Sequence, residues 1–437
     1  MANYKIIYSN LLNPISDKKC NLLSDYAIIS KEGKQGYQIV MMCPKSQVSS
    51  KFKVTKKDHI VEVDLSNKVI TPGFYDNHFH WVQDEVRMMP KENLLKWLEN
   101  HTWPYEANFK DKKFAVKKAK SFTKELAQTG TIGGACYGSI HAHSVEQAFE
   151  EFQGDFIIGN VLMTLNSPDY LLQNPKEAIT IVRELAKKYK SNYAMTPRFA
   201  ITTDPKTMTE GSKIADKYGS FIQTHLSETE NEIDFVLSIY RSIKGFEDVK
   251  TYTEIYDRCN ILGPKTIMGH GIYLSNGELK RLAETGTSIA HCPTSNAPHK
   301  ELGLGSGLFD YKRANRFKVN WSLASDIGGG PFLSMLDVMN SFVDQNLKRG
   351  HKDASYIQAL YRSTQRGAEI LKIGDSSGNF SEGKYLNFVV IGDMPKRNIS
   401  TSEELLKKLI KRAQKNRFQF QDQIELTAYR GNIIYNC

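Results

Sequence analysis

The rhythm of apolar and polar positions changes twice along this chain. Up to about residue 68, short β-rich runs (Ile6-Ile7-Tyr8, Tyr26-Ala27-Ile28-Ile29, Tyr37–Met41 and Ile60–Val63) alternate with turn material such as Lys31-Glu32-Gly33-Lys34-Gln35-Gly36. Runs of this length bounded by Gly, Asn and Pro predict strands of a small β domain. From Val69 the rhythm becomes strand then helix. Strands are predicted at Val69–Phe74, Thr131–Tyr137, Phe156–Met163, Tyr193–Ala200, Phe221–His225, Thr266–His270, Ser288–His291 and Val319–Ser325. Helical spacing recurs between most of them, at Lys112–Ala127, Lys176–Lys188, Glu230–Ser242 and Asn276–Glu284. Eight such units predict an α/β fold of the (β/α)8 barrel type. After a helical pattern at Tyr356–Leu371, β character returns at Tyr385–Ile391 and Ile424–Ile434. The expected domains are therefore a barrel over 69–376 and a small β-sandwich built from both chain ends, 1–68 and 377–437.

Composition narrows the class. The 437 residues are 40% hydrophobic and 24% charged, values of a globular chain able to bury a large core. The start Met-Ala-Asn-Tyr-Lys lacks the apolar run of a secretory signal. No apolar stretch approaches the roughly 20 residues that span a bilayer. A cytoplasmic protein with no membrane partner is expected. Six scattered cysteines, none in a Cys-x-x-Cys pair, predict free thiols and argue against a thiolate zinc site. The net charge of +10 is spread along the chain without an arginine-aromatic recognition pattern, so no nucleic-acid partner is expected. Its densest basic segment, Leu405–Arg417, has apolar positions at helical spacing behind a possible Thr401/Glu404 capping box, and reads as a surface amphipathic helix.

Candidate chemistry clusters at the predicted strand ends, where barrels of this type carry their active sites. The run Val69-Ile-Thr-Pro-Gly-Phe-Tyr-Asp-Asn-His78-Phe-His80 ends in a His-x-His pair, and residues i and i+2 of a strand share a face. Later strands end in Thr224-His225-Leu-Ser-Glu228, Gly269-His270-Gly271 and Ser325-Asp326. Singly, each has a plain explanation, a strand-end His bonded to a carbonyl or an Asp capping a helix. Together they put ligand-type residues on one rim.

These motifs resemble the amidohydrolase superfamily. More narrowly, the chain resembles the guanine deaminases. The narrower likeness rests on Gln83 three residues past His80, on Leu94-Leu-Lys-Trp97-Leu98 followed by Thr102-Trp-Pro-Tyr-Glu106, on Pro197-Arg198-Phe199, and on Ala290-His291-Cys292-Pro293-Thr-Ser295-Asn296. It extends to Gly378-Asn-Phe-x-x-Gly383-Lys384. Asn387 stands where such proteins usually carry an acidic residue, and Trp81 and Val82 are unusual spacers that could reshape the pocket.

The resemblance implies one zinc ion per subunit on His78, His80, His225 and Asp326, which would activate water for attack at C2 of guanine, giving xanthine and ammonia. Iron or another divalent metal is compatible with the same donors. It implies Glu228 as general acid/base, with Asp326 and His270 orienting and stabilising the reacting groups. Substrate contacts fall on Gln83, Arg198, Phe199 and Trp97, the plainer alternative for the two aromatics being core packing. A homodimer is implied in the same way. Two alternatives stay open, a related enzyme acting on another aminated heterocycle, and a silent scaffold on the same fold. His141-Ala-His143 reads as a loop decoy and His291 as a pocket or structural residue. His59, His101, His299 and His351 read as solvated or packed residues outside the site.

Overall fold

The structure, a computed structural model, describes residues 2–396, 399–413 and 423–437, without the side chains of 412 and 413. By internal contacts it divides into two compact units. One comprises Met1–Tyr75, Lys124–Gly133 and Ser334–Cys437, the other Asp76–Thr123 and Gly134–Leu333.

In the first unit the two chain ends meet in one sheet. Strands β1 (Asn3–Ser16), β2 (Lys19–Gly33), β3 (Gly36–Pro44) and β4 (His59–Pro72) come from the N-terminal part. Strands β13 (Phe388–Asp393), β14 (Leu426–Tyr429) and β15 (Asn432–Asn436) come from the C-terminal part. Their order is β15-β14-β13-β4-β1-β2-β3, antiparallel except for the parallel pair β1–β4. Alternation gives the sheet two apolar faces. Ile7, Leu11, Ile28 and Ile70 pack with Phe380, Leu386 and Phe388, while Ile6, Ala27, Ile29 and Cys43 form the other cluster. Asn387, the residue departing from the acidic pattern, is buried and serves this unit. Its amide donates to Ser377 Oγ (3.2 Å), and its carbonyl accepts from Arg430 N (2.6 Å).

The strand predicted at 69–74 is split. Val69–Pro72 finishes β4, and the first barrel strand begins at Phe74. Pro72 cannot donate to a ladder, and Gly73 is the junction, where a Cβ would lie 2.6 Å from Ile132. The predicted helix at 356–371 is likewise two, Tyr356–Ser363 and Gln365–Ile370. The Thr364 hydroxyl donates to the Leu360 carbonyl at 2.6 Å, competing with the helical ladder at the break. The basic segment forms a helix, Ser402–Ala413, that buries Leu405, Leu406, Leu409 and Ile410 and leaves Lys407, Lys408 and Lys411 exposed. Lys415 and Arg417 lie outside the described residues.

The barrel sheet follows as β5 (Phe74–Phe79), β6 (Thr131–Gly138), β7 (Asp155–Leu162), β8 (Ala194–Pro197), β9 (Phe221–Leu226), β10 (Thr266–His270), β11 (Ser288–His291) and β12 (Asn320–Leu323). These eight strands lie in sequence order, with parallel pairing from β7 to β12. The first and last strands then meet. Asp326 N donates to His78 O (2.8 Å), His80 N to Ile327 O (2.5 Å), and Asn77 Nδ2 to Ser322 Oγ (3.0 Å). Among the described residues, no helix is long and apolar enough to cross a membrane.

Candidate active site

Alternation along β5 puts His78 inside the ring, and His80 follows just past the strand end. Asp76, two residues before His78, ties this strand to the β12 loop. It accepts from Ser325 N (3.0 Å) and from the Ser325 hydroxyl. The sequence reading quoted Asp76 only as a motif position. Burial pushes its carboxyl up to about 7. His225 ends β9, and Asp326 lies three residues past β12. Both His270 (φ 71°) and Asp326 (φ 51°) have left-handed backbone, which costs non-glycine residues of order 1–3 kcal/mol and clusters at functional sites.

These chain-distant residues converge. One ligand atom from each of His78, His80, His225 and Asp326 can be chosen so that all lie within 4.8 Å of one another. Asp326 Oδ1 is 3.2 Å from His78 Nε2 and 3.5 Å from His80 Nε2, and the Nε2 atoms of His80 and His225 are 3.1 Å apart. His225 Nδ1 lies 2.5 Å from the Arg198 carbonyl, so it donates there and turns a bare Nε2 to the centre. Gly269 makes room, since a Cβ on it would lie 2.5 Å from His78 Cε1.

The donor set fits a divalent metal. Three imidazoles and one carboxylate match a zinc site in type and number. His78 Nε2 is buried without a hydrogen-bond partner, the state of an atom built to hold something else. Burial is the leading cause that lowers the pKa of His78, His80 and His225, which keeps them in the neutral form a metal requires. Burial alone would raise Asp326. The adjacent His78 ring and the other nearby imidazoles outweigh it and hold this carboxylate ionised. A second metal-capable group, His270, Cys292 and Asp326, is less suitable, because burial keeps the Cys292 thiol protonated.

Glu228 and His270 stand beside this group. Glu228 Oε1 accepts from Ser306 Oγ (2.7 Å) and Asn296 Nδ2 (3.2 Å), while Oε2 lies 3.5 Å from His270 Nε2. Burial raises the Glu228 pKa. For His270, burial acts downward, but the carboxylates of Glu228 and Asp326 reverse it and the net shift is up. Asp326 Oδ2 accepts from Ser295 Oγ at 2.7 Å. Behind Glu228, the Glu232 carboxylate accepts from Glu228 N (2.8 Å), in a capping box with Thr229 that opens the helix Glu230–Tyr240.

A cavity joins these groups to Gln83, Trp97, Arg198 and Phe199. All four candidate contacts thus face one space with the metal group. Leu94, Leu98 and Leu304 add apolar wall. Trp81 and Val82 are fully buried instead. Trp81 packs edge-on against Phe109 and Phe152, so the unusual spacers are core and line no part of the cavity.

The remaining histidines stay outside. His143 Nε2 contacts the Phe109 carbonyl at 2.7 Å, and the ring of His141 stacks on that of His143. Neither belongs to a metal-capable group among the described residues. His291 is buried against Phe309 and does not line the cavity. Sequence reasoning missed Ser306, Glu232 and the partner role of Glu106. Only Glu232 had a readable signal, its place three residues after Thr229 in a capping-box pattern.

Residues 69–417 match the amidohydrolase family. The chain belongs to the amidohydrolase family. In this amidohydrolase the matched span contains every residue of the metal group and the cavity. A guanine deaminase of Escherichia coli strain K12 is 36% identical over 336 residues, covering 75% of this chain and 74% of that protein. The solved structure of an E. coli guanine deaminase superposes with a TM-score of 0.86 at 28% identity over 99% of both chains. A guanine deaminase from C. acetobutylicum with guanine bound in its active site gives a TM-score of 0.82 at 27% identity, covering 99% of this chain and all of that one.

Proposed function

We propose that this amidohydrolase is a guanine deaminase, hydrolysing guanine to xanthine and ammonia. The observation that carries the reading is a three-histidine, one-aspartate group of which His80, His225 and Asp326 line one cavity together with a buried acid and a guanidinium–amide pair. The named relatives support it, and one of them holds guanine in its active site.

His78, His80, His225 and Asp326 would hold zinc. When bound, the metal supplies Lewis acidity and lowers the pKa of water toward about 7. The chain's own residues do the rest. Glu228 Oε1 is engaged by Ser306 and Asn296, so Oε2 is the oxygen that carries the proton. Its raised pKa suits a group that takes one proton from the attacking water and gives it to the ring nitrogen beside C2, then takes the second proton from the same oxygen as the C2 carbonyl forms and gives it to the amine, which leaves as ammonia. His270 and Asp326, whose Nε2 and Oδ2 lie 3.8 Å apart, orient the attacking water. Arg198 offers donors to the O6 carbonyl, Gln83 reads a ring edge, and Phe199 with Trp97 covers the ring and excludes water.

The same reading carries one zinc ion per subunit, a cytoplasmic location and a homodimer. The donor types support zinc, while the dimer rests on the resemblance alone. We further propose two domains, one built from both chain ends, 1–68 with 377–437, and a barrel within 69–376; β1–β4 and β13–β15 sharing one sheet and β5–β12 the other support the division, although β4 carries the first sheet on to Pro72. The test is metal-loaded protein incubated with guanine, followed by absorbance and an ammonia assay. Xanthine with equimolar ammonia is expected. No turnover of guanine alongside turnover of another aminated heterocycle would overturn the substrate.

A further inference from the structure

Gln83 and Arg198 share a buried partner that does not itself line the cavity. Glu106 is 1% exposed and ends the short helical turn Trp103–Glu106. Its Oε1 accepts from Gln83 Nε2 at 2.7 Å and from an Arg198 terminal nitrogen at 2.9 Å, and its Oε2 accepts from that same nitrogen at 2.7 Å. An ionised carboxylate only accepts hydrogen bonds. Gln83 must therefore turn its NH2 to Glu106, and its carbonyl Oε1 is what remains to face the cavity. Arg198 commits one terminal nitrogen to Glu106 and keeps its other donors.

We propose that Glu106 is a positioning residue that sets the hydrogen-bond polarity of the pocket, fixing an acceptor at Gln83 and a donor at Arg198. It thereby selects rings that pair an N–H donor with a carbonyl acceptor, and disfavours rings presenting an amino group and an unprotonated nitrogen. This rests on the function proposed above. A glutamine free to flip offers either polarity and discriminates poorly, whereas one tied to a buried carboxylate leaves the wrong ring with an unpaired polar contact. A Glu106 that served only as a structural ion pair would change stability without changing the ranking of ligands.

The experiment uses zinc-loaded full-length protein. Turnover of guanine by the wild type is measured first, then binding of hypoxanthine and adenine as a matched pair. The wild type should prefer hypoxanthine, and Glu106→Gln should cut that preference about tenfold, because two facing amides no longer fix Gln83. The exchanged pair Glu106→Gln with Gln83→Glu keeps the buried charge and returns an acceptor to the cavity, and should restore the preference. An unchanged ratio in Glu106→Gln overturns the proposal, as does an exchanged pair that fails to restore it. If the single variant does not fold, the exchanged pair decides alone. Absence of guanine turnover in the wild type would sink the proposed function, while the ligand ratios would still judge Glu106.

Discussion

Glu228 is the residue at which chemistry and environment meet most directly. It is buried, its Oε1 is fixed by two donors, and its Oε2 faces His270. Glu228→Gln keeps the shape and removes the proposed proton carrier. It should lower kcat by about 10²–10⁴-fold while metal content, measured by elemental analysis, stays at wild-type level. An unaltered kcat would remove Glu228 from the reaction. Four residues further on, burial first and the neighbouring Glu228 second raise the Glu232 carboxyl to about 7. A carboxyl raised in the folded state favours folding only while protonated. Its contribution is complete below the ordinary value of 4.5 and is lost as pH climbs to about 7. Glu232→Gln retains an oxygen acceptor for the Glu228 and Thr229 amides but cannot ionise. Metal-stripped variant should therefore lose less Tm than metal-stripped wild type across that window. Parallel Tm curves for the two proteins would contradict the assignment.

At the scale of elements, alternation and strand ends made the ligands legible. A His-x-His at the close of an apolar run points both rings one way in any strand, so His78 and His80 could be read without coordinates. The neighbouring strand's part in this could not. Gly269 on β10 carries no side chain because the His78 ring occupies that space. Gly269→Ala should displace the ring and weaken metal binding by about 10–100-fold, the range seen when residues supporting a ligand are changed. Competition against a chelator measures it, and unchanged affinity would show that the ring has room. The helix behind Glu228 gives a milder case. Thr229 accepts from Glu232 N in its capping box. Thr229→Ala should cost about 1 kcal/mol in denaturant unfolding. Boundaries were less legible than element types. Val69–Pro72 carries the same apolar pattern as the barrel strand after it, and pairing with β1 and β13 shows that it belongs to the mixed sheet.

For the whole molecule, the metal-capable group joins β5, β9 and the loop after β12, so a cation held there would link both ends of the barrel sequence. Binding to the folded state alone stabilises it by about 2.7 kcal/mol at one hundred times Kd. Stripping the metal with a chelator should lower Tm, and zinc should restore it in a concentration-dependent way. A Tm indifferent to metal would mean that the site is not occupied in solution.

The sequence by itself determined the alternation of strands and helices, the placing of histidines and carboxylates at strand ends, and a globular, charge-dispersed surface. Each of these follows from local periodicity or from side-chain type, which neighbours in the chain specify. Tertiary structure alone decided which carboxylate serves which partner. Glu106 meets Arg198 across 92 positions and Ser306 meets Glu228 across 78. The left-handed backbone of His270 and Asp326 has the same origin. Contacts of that range are set by barrel closure and by the desolvation of polar groups that must then find partners, and no periodicity along the chain encodes them.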